Sequence, residues 1–303
     1  MTVLEELQAA VGTVTERIGP ATVTIGRDRR GTGIVIGDGR VLTNAHNLRD
    51  RTTQVTFPDG RATQGEVLGA DADGDLAVLA VDTAGTTPVE WSTTGPAAGQ
   101  VVFAAGRGRQ GLRVTFGAVS AVERAFRGPG GRRITGSVEH TAPLARGSSG
   151  GPLADAEGRL VGLNTHRLDD GFYLAIPTGA ELRERVDQLA AGHAPSRRRL
   201  GIAVAPSYVA RRLRRAVGLA ERDGLLVRGV EDGSPAAAAG LAGGDLITTA
   251  NGTEVRNADD LWAVLDALGD ADTIDLGIVR GADELTVRVT FDAAAATEEE
   301  GSA

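Results

Sequence analysis

From Ala21 to Pro177 the chain is a train of short β-rich runs, among them Ala21–Gly26, Gly31–Gly37, Leu76–Val81, Gln100–Gly106 and Arg159–Thr165. Each is rich in Val, Ile, Thr or Leu and is closed by Gly, Asp or Thr. No stretch with a helical apolar period intervenes, which excludes a helix bundle and a helix-connected parallel sheet. Many short strands joined by turns require a barrel or a sandwich. The runs fall into two sets on either side of Gly95–Gly99, which predicts two small barrels in a mainly β chain.

The flanks read differently. Val3, Leu4, Leu7, Ala10, Val11, Val14 and Ile18 recur at helical spacing, and Gly19-Pro20 ends the pattern, so residues 1–19 are expected to form an N-terminal helix. The β-rich domain spans 20–192. It closes with a helix that a capping box from Thr178 to Glu181 is expected to open, with Leu182, Val186, Leu189 and Ala190 on one face. Gly, Pro, Ser and an Arg run break both periods at 193–199, which reads as a linker.

Residues 200–292 mix strand candidates (Leu200–Ala205, Gly224–Val230, Asp245–Ala250, Thr273–Val279, Glu284–Phe291) with helix starts at Ser234-Pro235 and Asn257–Asp260. A smaller α+β domain follows from that mixture. The tail 293–303 has no apolar anchor and is expected to be disordered. Arg211, Arg212, Arg214 and Arg215 read as a solvated helix face rather than a site for an anion.

Composition removes whole classes of chemistry. There is no Cys, so disulfides, zinc–thiolate sites and thiol nucleophiles are excluded. The 32 basic residues are all Arg, so no lysine can form a Schiff base, serve a phosphate loop or pair with a serine. With a net charge of −8 and 3% aromatic residues, the chain is a poor candidate for nucleic-acid binding. No basic leader and no long apolar run is visible, so no membrane span is expected. The chain as written is expected in the cytoplasm, or in the envelope or outside the cell where a leader has been removed.

Chemistry concentrates at Arg146–Leu153, a serine pair set among glycines between two β-rich runs. Glycines let the backbone turn tightly and aim N–H groups into a small volume, as an acyl-transfer site requires. Two further segments complete the set. His46 follows the run ending at Thr43-Asn44-Ala45 and supplies a candidate base. Asp75 heads the apolar run Leu76–Leu79, where it can orient an imidazole. The chain order His, Asp, Ser is that of chymotrypsin-type proteases.

With these residues the sequence resembles the HtrA/Deg family of trypsin-like serine proteases. Gly31–His46, Gly74–Leu79 and Thr141–Thr165 look like the family's histidine, aspartate and serine segments. Leu200–Val204 and Asp232–Val255 look like parts of a PDZ domain. The resemblance implies a chymotrypsin-like double β-barrel followed by a PDZ-like domain, without a cofactor or a metal.

Carried over by position, Ser149 is the nucleophile, His46 the base and Asp75 its orienting carboxylate. The backbone N–H groups of Gly147 and Ser149 form the oxyanion hole. Ser148 stands where the family usually has Asn. Pro143, Asn164, Thr165 and His166 would line the substrate cleft, and Pro143, being uncharged, argues against a trypsin-like preference for basic residues. In the PDZ-like domain Leu200, Gly201, Ile202 and Val204 would receive a peptide strand and its C-terminal carboxylate, with Leu261 and Trp262 opposite.

The implied substrates are misfolded or unstructured proteins. An alternative is a chaperone-like or scaffold protein whose protease domain rests while the PDZ-like domain binds peptides. A homotrimer is implied by the family, but the lack of any aromatic residue before Phe57 leaves a monomer open.

Other patterns carry less. Gly106–Gly111 matches a dinucleotide-binding glycine motif, but the β-branched run after it predicts a strand where that site needs a helix. Asp71, Asp73 and Asp75 imitate the start of a calcium loop, yet Leu76 stands where its glycine would be. His140, His166 and His193 do not have a metal-ligand spacing and read as loop or surface histidines.

Overall fold

The computed structural model describes residues 2–28, 30–128, 133–193, 198–269 and 271–291. The predicted tail 293–303, Asp292 and linker residues 194–197 lie outside that set. The chain divides into two compact units, Met1–Pro195 and Ser196–Ala303.

The first unit opens with α1 (Val3–Ile18). Thr2 and Glu5 cap it reciprocally, and Val14 and Ile18 are buried at its C-terminal end. β1 (Thr22–Ile25), β2 (Gly31–Gly37), β3 (Arg40–Thr43), β4 (Thr52–Thr56), β5 (Ala62–Asp71) and β6 (Leu76–Ala80) follow. They are ordered β1-β2-β3-β6-β5-β4 and close through antiparallel pairing of β1 with β4.

β7 (Val101–Gly108), β8 (Gly111–Arg127), β9 (Arg133–His140), β10 (Pro152–Ala154), β11 (Leu160–Arg167) and β12 (Tyr173–Pro177) make the second sheet. Its order is β10-β11-β12-β9-β8-β7, closed between β10 and β7. Two six-stranded barrels therefore stand where the two sets of runs predicted them. The glycine-rich Gly106–Gly111 segment is the tight β7–β8 hairpin, Gly108 facing Gly111 across it.

One apolar cluster ties these parts together. Ile18 from α1, Ile25, Leu42 and Leu79 from the first barrel, and Phe103, Leu160 and Leu163 from the second pack with Leu182, Val186 and Leu189 of α2 (Ala180–Ala190). The second barrel has a smaller core of its own around Val102, Val119, Val138 and Leu153. Aliphatic burial of this kind stabilises each barrel without cross-links.

The expected capping box of α2 does not form. The helix starts one residue late for it: Gly179 is the N-cap and has no side chain to accept, while Thr178 stands before the cap with its Oγ1 turned to donate to Leu160 O at 3.2 Å.

The second unit comprises β13 (Ile202–Ala205), α3 (Ser207–Ala216), β14 (Leu225–Val230), α4 (Pro235–Ala238), β15 (Leu246–Ala250), β16 (Thr253–Glu254), α5 (Ala258–Ala267), β17 (Thr273–Arg280) and β18 (Asp283–Thr290). The sheet runs β13-β14-β15-β17-β18, so β13 is an edge strand. Ser234 caps α4, and Asn257 with Asp260 caps α5, as their sequences predict.

The arginine cluster on α3 departs from a solvated face at one position. Arg214 is buried and donates to Ala220 O and Gly281 O. A long guanidinium can close loop carbonyls that no nearer donor reaches. No helix among the described residues is long and apolar enough to cross a membrane.

Candidate active site

Each catalytic candidate is set at the end of a strand. β3 delivers Thr43 and Asn44, and a single 3-10 turn, Ala45–Asn47, then presents His46. Asp75 precedes β6 in a left-handed conformation, φ 54°. Asp71 supports the turn before it, accepting from Gly74 N at 2.9 Å and from an Arg185 guanidinium nitrogen of α2 at 2.7 Å. Asp71 and Asp75, two members of the calcium-like triplet, thus serve an arginine and a histidine.

The Asp75 carboxylate is buried at 1% exposure. It accepts from His46 N at 3.1 Å, faces His46 Nδ1 at 2.9 Å through both oxygens, and accepts from Thr165 Oγ1 at 2.6 Å. Asn44 Nδ2 holds its backbone carbonyl. A carboxylate held this way fixes the imidazole with Nδ1 as the donor and Nε2 free to accept a proton.

Ser149 follows one turn and lies inside the next, closed by Ser148 N to Ala145 O and Gly151 N to Ser148 O. Its carbonyl accepts from Thr32 N at 2.9 Å and Asn47 Nδ2 at 2.9 Å, which ties the segment to the first barrel. Gly150, at φ +82°, has no room for a side chain, since a Cβ would stand 2.1 Å from Thr32 O. The N–H groups of Gly147 and Ser149 meet no acceptor among the described residues. Two unpartnered donors at the nucleophile loop are what a developing oxyanion needs. The Ser149 hydroxyl donates to Thr165 O at 2.9 Å, and no hydrogen bond joins it to His46.

A pocket of about 250 Å³ opens beside Ser149, lined by Leu144–Ser149, Asn164–Arg167 and Tyr173. Asn164, Thr165 and His166 border it as expected, with His166 stacked at 5.6 Å on Phe126. Pro143 is not in the lining. The chain there runs along β8, and Pro143 O accepts from Thr115 Oγ1 at 2.6 Å.

His140 corrects the loop assignment. It ends β9 fully buried, stacks on Tyr173 at 5.8 Å, and meets Asn164 Oδ1 through Nε2 at 3.0 Å. Asn164 Nδ2 donates to Pro152 O, so its Oδ1 accepts and His140 Nε2 carries the proton. Nδ1 has no partner. Burial pushes this imidazole down to about 4, against the opposing pull of the Asn164 hydrogen bond. His166 also lies on a strand, β11, rather than on a loop.

In the second unit Gly201 takes φ +74° just before the edge strand β13. The N–H groups of Leu200 and Gly201 meet no acceptor among the described residues. Ile202 and Val204 are half-buried against the core, as is Trp262 of α5. Leu200 and Leu261 are buried in that core, at 4% exposure each. Their side chains pack the unit instead of lining a groove.

Residues 31–163 match the trypsin-like peptidase domain and residues 199–291 the PDZ domain. The chloroplastic Protease Do-like 1 of Arabidopsis thaliana is 32% identical over 280 residues, covering 84% of this chain and 61% of that protein. The mitochondrial serine protease HTRA2 of Drosophila sechellia is 30% identical, covering 86% and 66%. The chain thus spans less than two thirds of the length of these relatives. In fold it is similar to the HtrA-type protease AlgW with a decapeptide, at TM-score 0.66 and 24% identity over 92% of this chain and 97% of that one. This chain belongs to the HtrA/Deg family, as a trypsin-like peptidase domain followed by a PDZ domain.

Proposed function

We propose that the chain is a serine endopeptidase that hydrolyses peptide bonds in misfolded or unstructured proteins. The observation that carries this reading is the Asp75–His46 pair, buried on the carboxylate side and braced by Thr165, set beside a serine loop with two unpartnered N–H groups. Rotation about the Cα–Cβ bond of Ser149 releases its hydroxyl from Thr165 O and turns it to His46 Nε2. Ser149 Oγ then attacks the peptide carbonyl carbon as its proton passes to Nε2, and the carbonyl oxygen takes negative charge against Gly147 N–H and Ser149 N–H. Collapse returns the proton to the leaving amine, and water releases the acyl group by the same path. The PDZ domain adds a peptide strand at the β13 edge, with the N–H groups of Leu200 and Gly201 meeting its terminal carboxylate.

One observation favours a second reading, in which the protease domain rests and the chain acts as a peptide-binding scaffold. The Ser149 hydroxyl is engaged by Thr165 O rather than by His46. A fluorophosphonate probe separates the two. Labelling at Ser149, lost in Ser149→Ala together with casein cleavage, supports the endopeptidase, whereas an unlabelled serine with retained peptide binding supports the scaffold.

A further inference from the structure

The Ala145–Ser148 segment borders two pockets. One is the pocket lined by Asn164–Arg167. The other, of about 230 Å³, has the β7–β8 hairpin as its far wall, with Gly106–Gly111 and Arg113 in the lining. Arg109, Arg113 and Arg146 all border this second pocket, and no Asp or Glu does.

Other arginines of the chain are matched by an acceptor of their own. Arg159, Arg280 and Arg288 each have a carboxylate partner, on Asp155, Asp245 and Asp275. Arg107, on the same hairpin, donates to the carbonyls of Thr22 and Gly19. Arg113 reaches the neutral Gln110 Oε1 at 2.7 Å. Neither Arg109 nor Arg146 has an acidic partner among the described residues. In a chain of net charge −8, a group of unmatched guanidinium groups in a pocket that Gly147 and Ser148 border is a site short of a carboxylate.

Position says which part of a substrate supplies it. A peptide whose carbonyl oxygen faces Gly147 N–H and Ser149 N–H crosses the Ala145–Ser148 segment. With its acyl half beside Asn164–Arg167, its leaving half runs towards the β7–β8 hairpin. We propose that this second pocket is a leaving-side subsite that takes the side-chain carboxylate of an Asp or Glu one or two residues after the scissile bond. The inference rests on the endopeptidase reading and names a substrate feature for it.

The test uses the whole chain and a pool of C-terminally amidated peptides, with cut sites mapped by mass spectrometry. Matched peptides carrying Glu or Gln at the preferred leaving-side position then give kcat/KM. Glu is expected to be favoured about 3- to 10-fold at low ionic strength, and less at about 0.5 M salt. In the double variant Arg109→Glu with Arg113→Glu the preference should reverse towards Lys.

Equal cleavage of the Glu and Gln peptides by the wild type overturns the subsite and leaves the endopeptidase standing. A Glu preference of unchanged size in the double variant does the same. A gain seen only when the peptide ends in a free carboxylate assigns the pocket to chain ends and overturns the side-chain proposal. Absence of any cleavage ends the endopeptidase reading, and the subsite with it.

Discussion

Thr165 Oγ1 donates a 2.6 Å hydrogen bond to Asp75 Oδ2, while the carbonyl of the same residue accepts from Ser149 Oγ. Thr165 therefore touches two members of the proposed triad at once. It does so from a register shift in the pairing of β11 with β12, between Asn164 and His166, where an extra residue re-aims the chain. Thr165→Val removes the bond to a buried carboxylate and should cost about 1.5–3 kcal/mol of transition-state stabilisation, read as kcat/KM on a peptide substrate. Thr165→Ser should retain most of the rate. Full activity in Thr165→Val beside a loss in Thr165→Ser would show that the methyl group, not the hydroxyl, is what matters.

His140 gives the peptidase domain an acid-sensitive point. Folded, its imidazole titrates near 4; unfolded, it returns to 6.5. Between those values the unfolded chain binds a proton that the folded chain refuses, so stability falls as the pH drops from about 6.5 to about 4. The full contribution is about 3 kcal/mol. Urea unfolding at a series of pH values should show this slope in the wild type and lose it in His140→Gln. Parallel curves for the two proteins would count against the assignment. Asn164 holds Gly150 N and Gly151 O through its backbone, so the same titration should loosen the nucleophile loop.

Arg185 and Asp71 make a third prediction. Asp71 is 4% exposed and steadies the turn that ends in Asp75. Arg185→Ala leaves that carboxylate short of its guanidinium and should destabilise the domain by about 1–3 kcal/mol. Fluorophosphonate labelling of Ser149 should slow as well, because the Asp75 turn is less well held. A stability loss with an unchanged labelling rate would confine Arg185 to a packing role.

Gly201 tests the other unit. Its φ is +74°, and a Cβ there would lie 2.2 Å from Cβ of Ser234, the N-cap of α4. Gly201→Ala should therefore cost about 1–2 kcal/mol for the backbone conformation alone. It should also weaken binding of a peptide with a free C-terminus, measured by fluorescence anisotropy. Unaltered affinity would mean that the turn at Leu200-Gly201 does not receive the carboxylate.

Much of this was legible from local pattern. β-branched runs between turn residues predict the barrel strands, because strand formation and turn formation both depend on neighbours in the chain. The caps at Ser234 and Asn257 are equally local, and so is the strand predicted after Gly111. The short strands β10 and β16 were not visible, since three or two residues carry no period.

What failed depended on partners far along the chain. Thr178 has the right neighbours for a capping box, yet Leu160 O, 18 residues away, claims its hydroxyl. His140 reads as a surface residue until closure of the second barrel seals it against Asn164 and Tyr173. Arg214 reads as solvated until the loop at Gly281 folds over it.

The sequence by itself determined the strand runs, the order His46, Asp75, Ser149, and the exclusion of thiol and lysine chemistry, because these follow from residue identity and short-range geometry. Only the tertiary structure decided that Thr165 bridges Asp75 and Ser149, that His140 is buried and neutral, and that Arg109, Arg113 and Arg146 border one pocket. Each of those is a contact between strands or loops whose registers are set by barrel closure. Barrel closure is a collective result of burial and pairing that no single segment encodes.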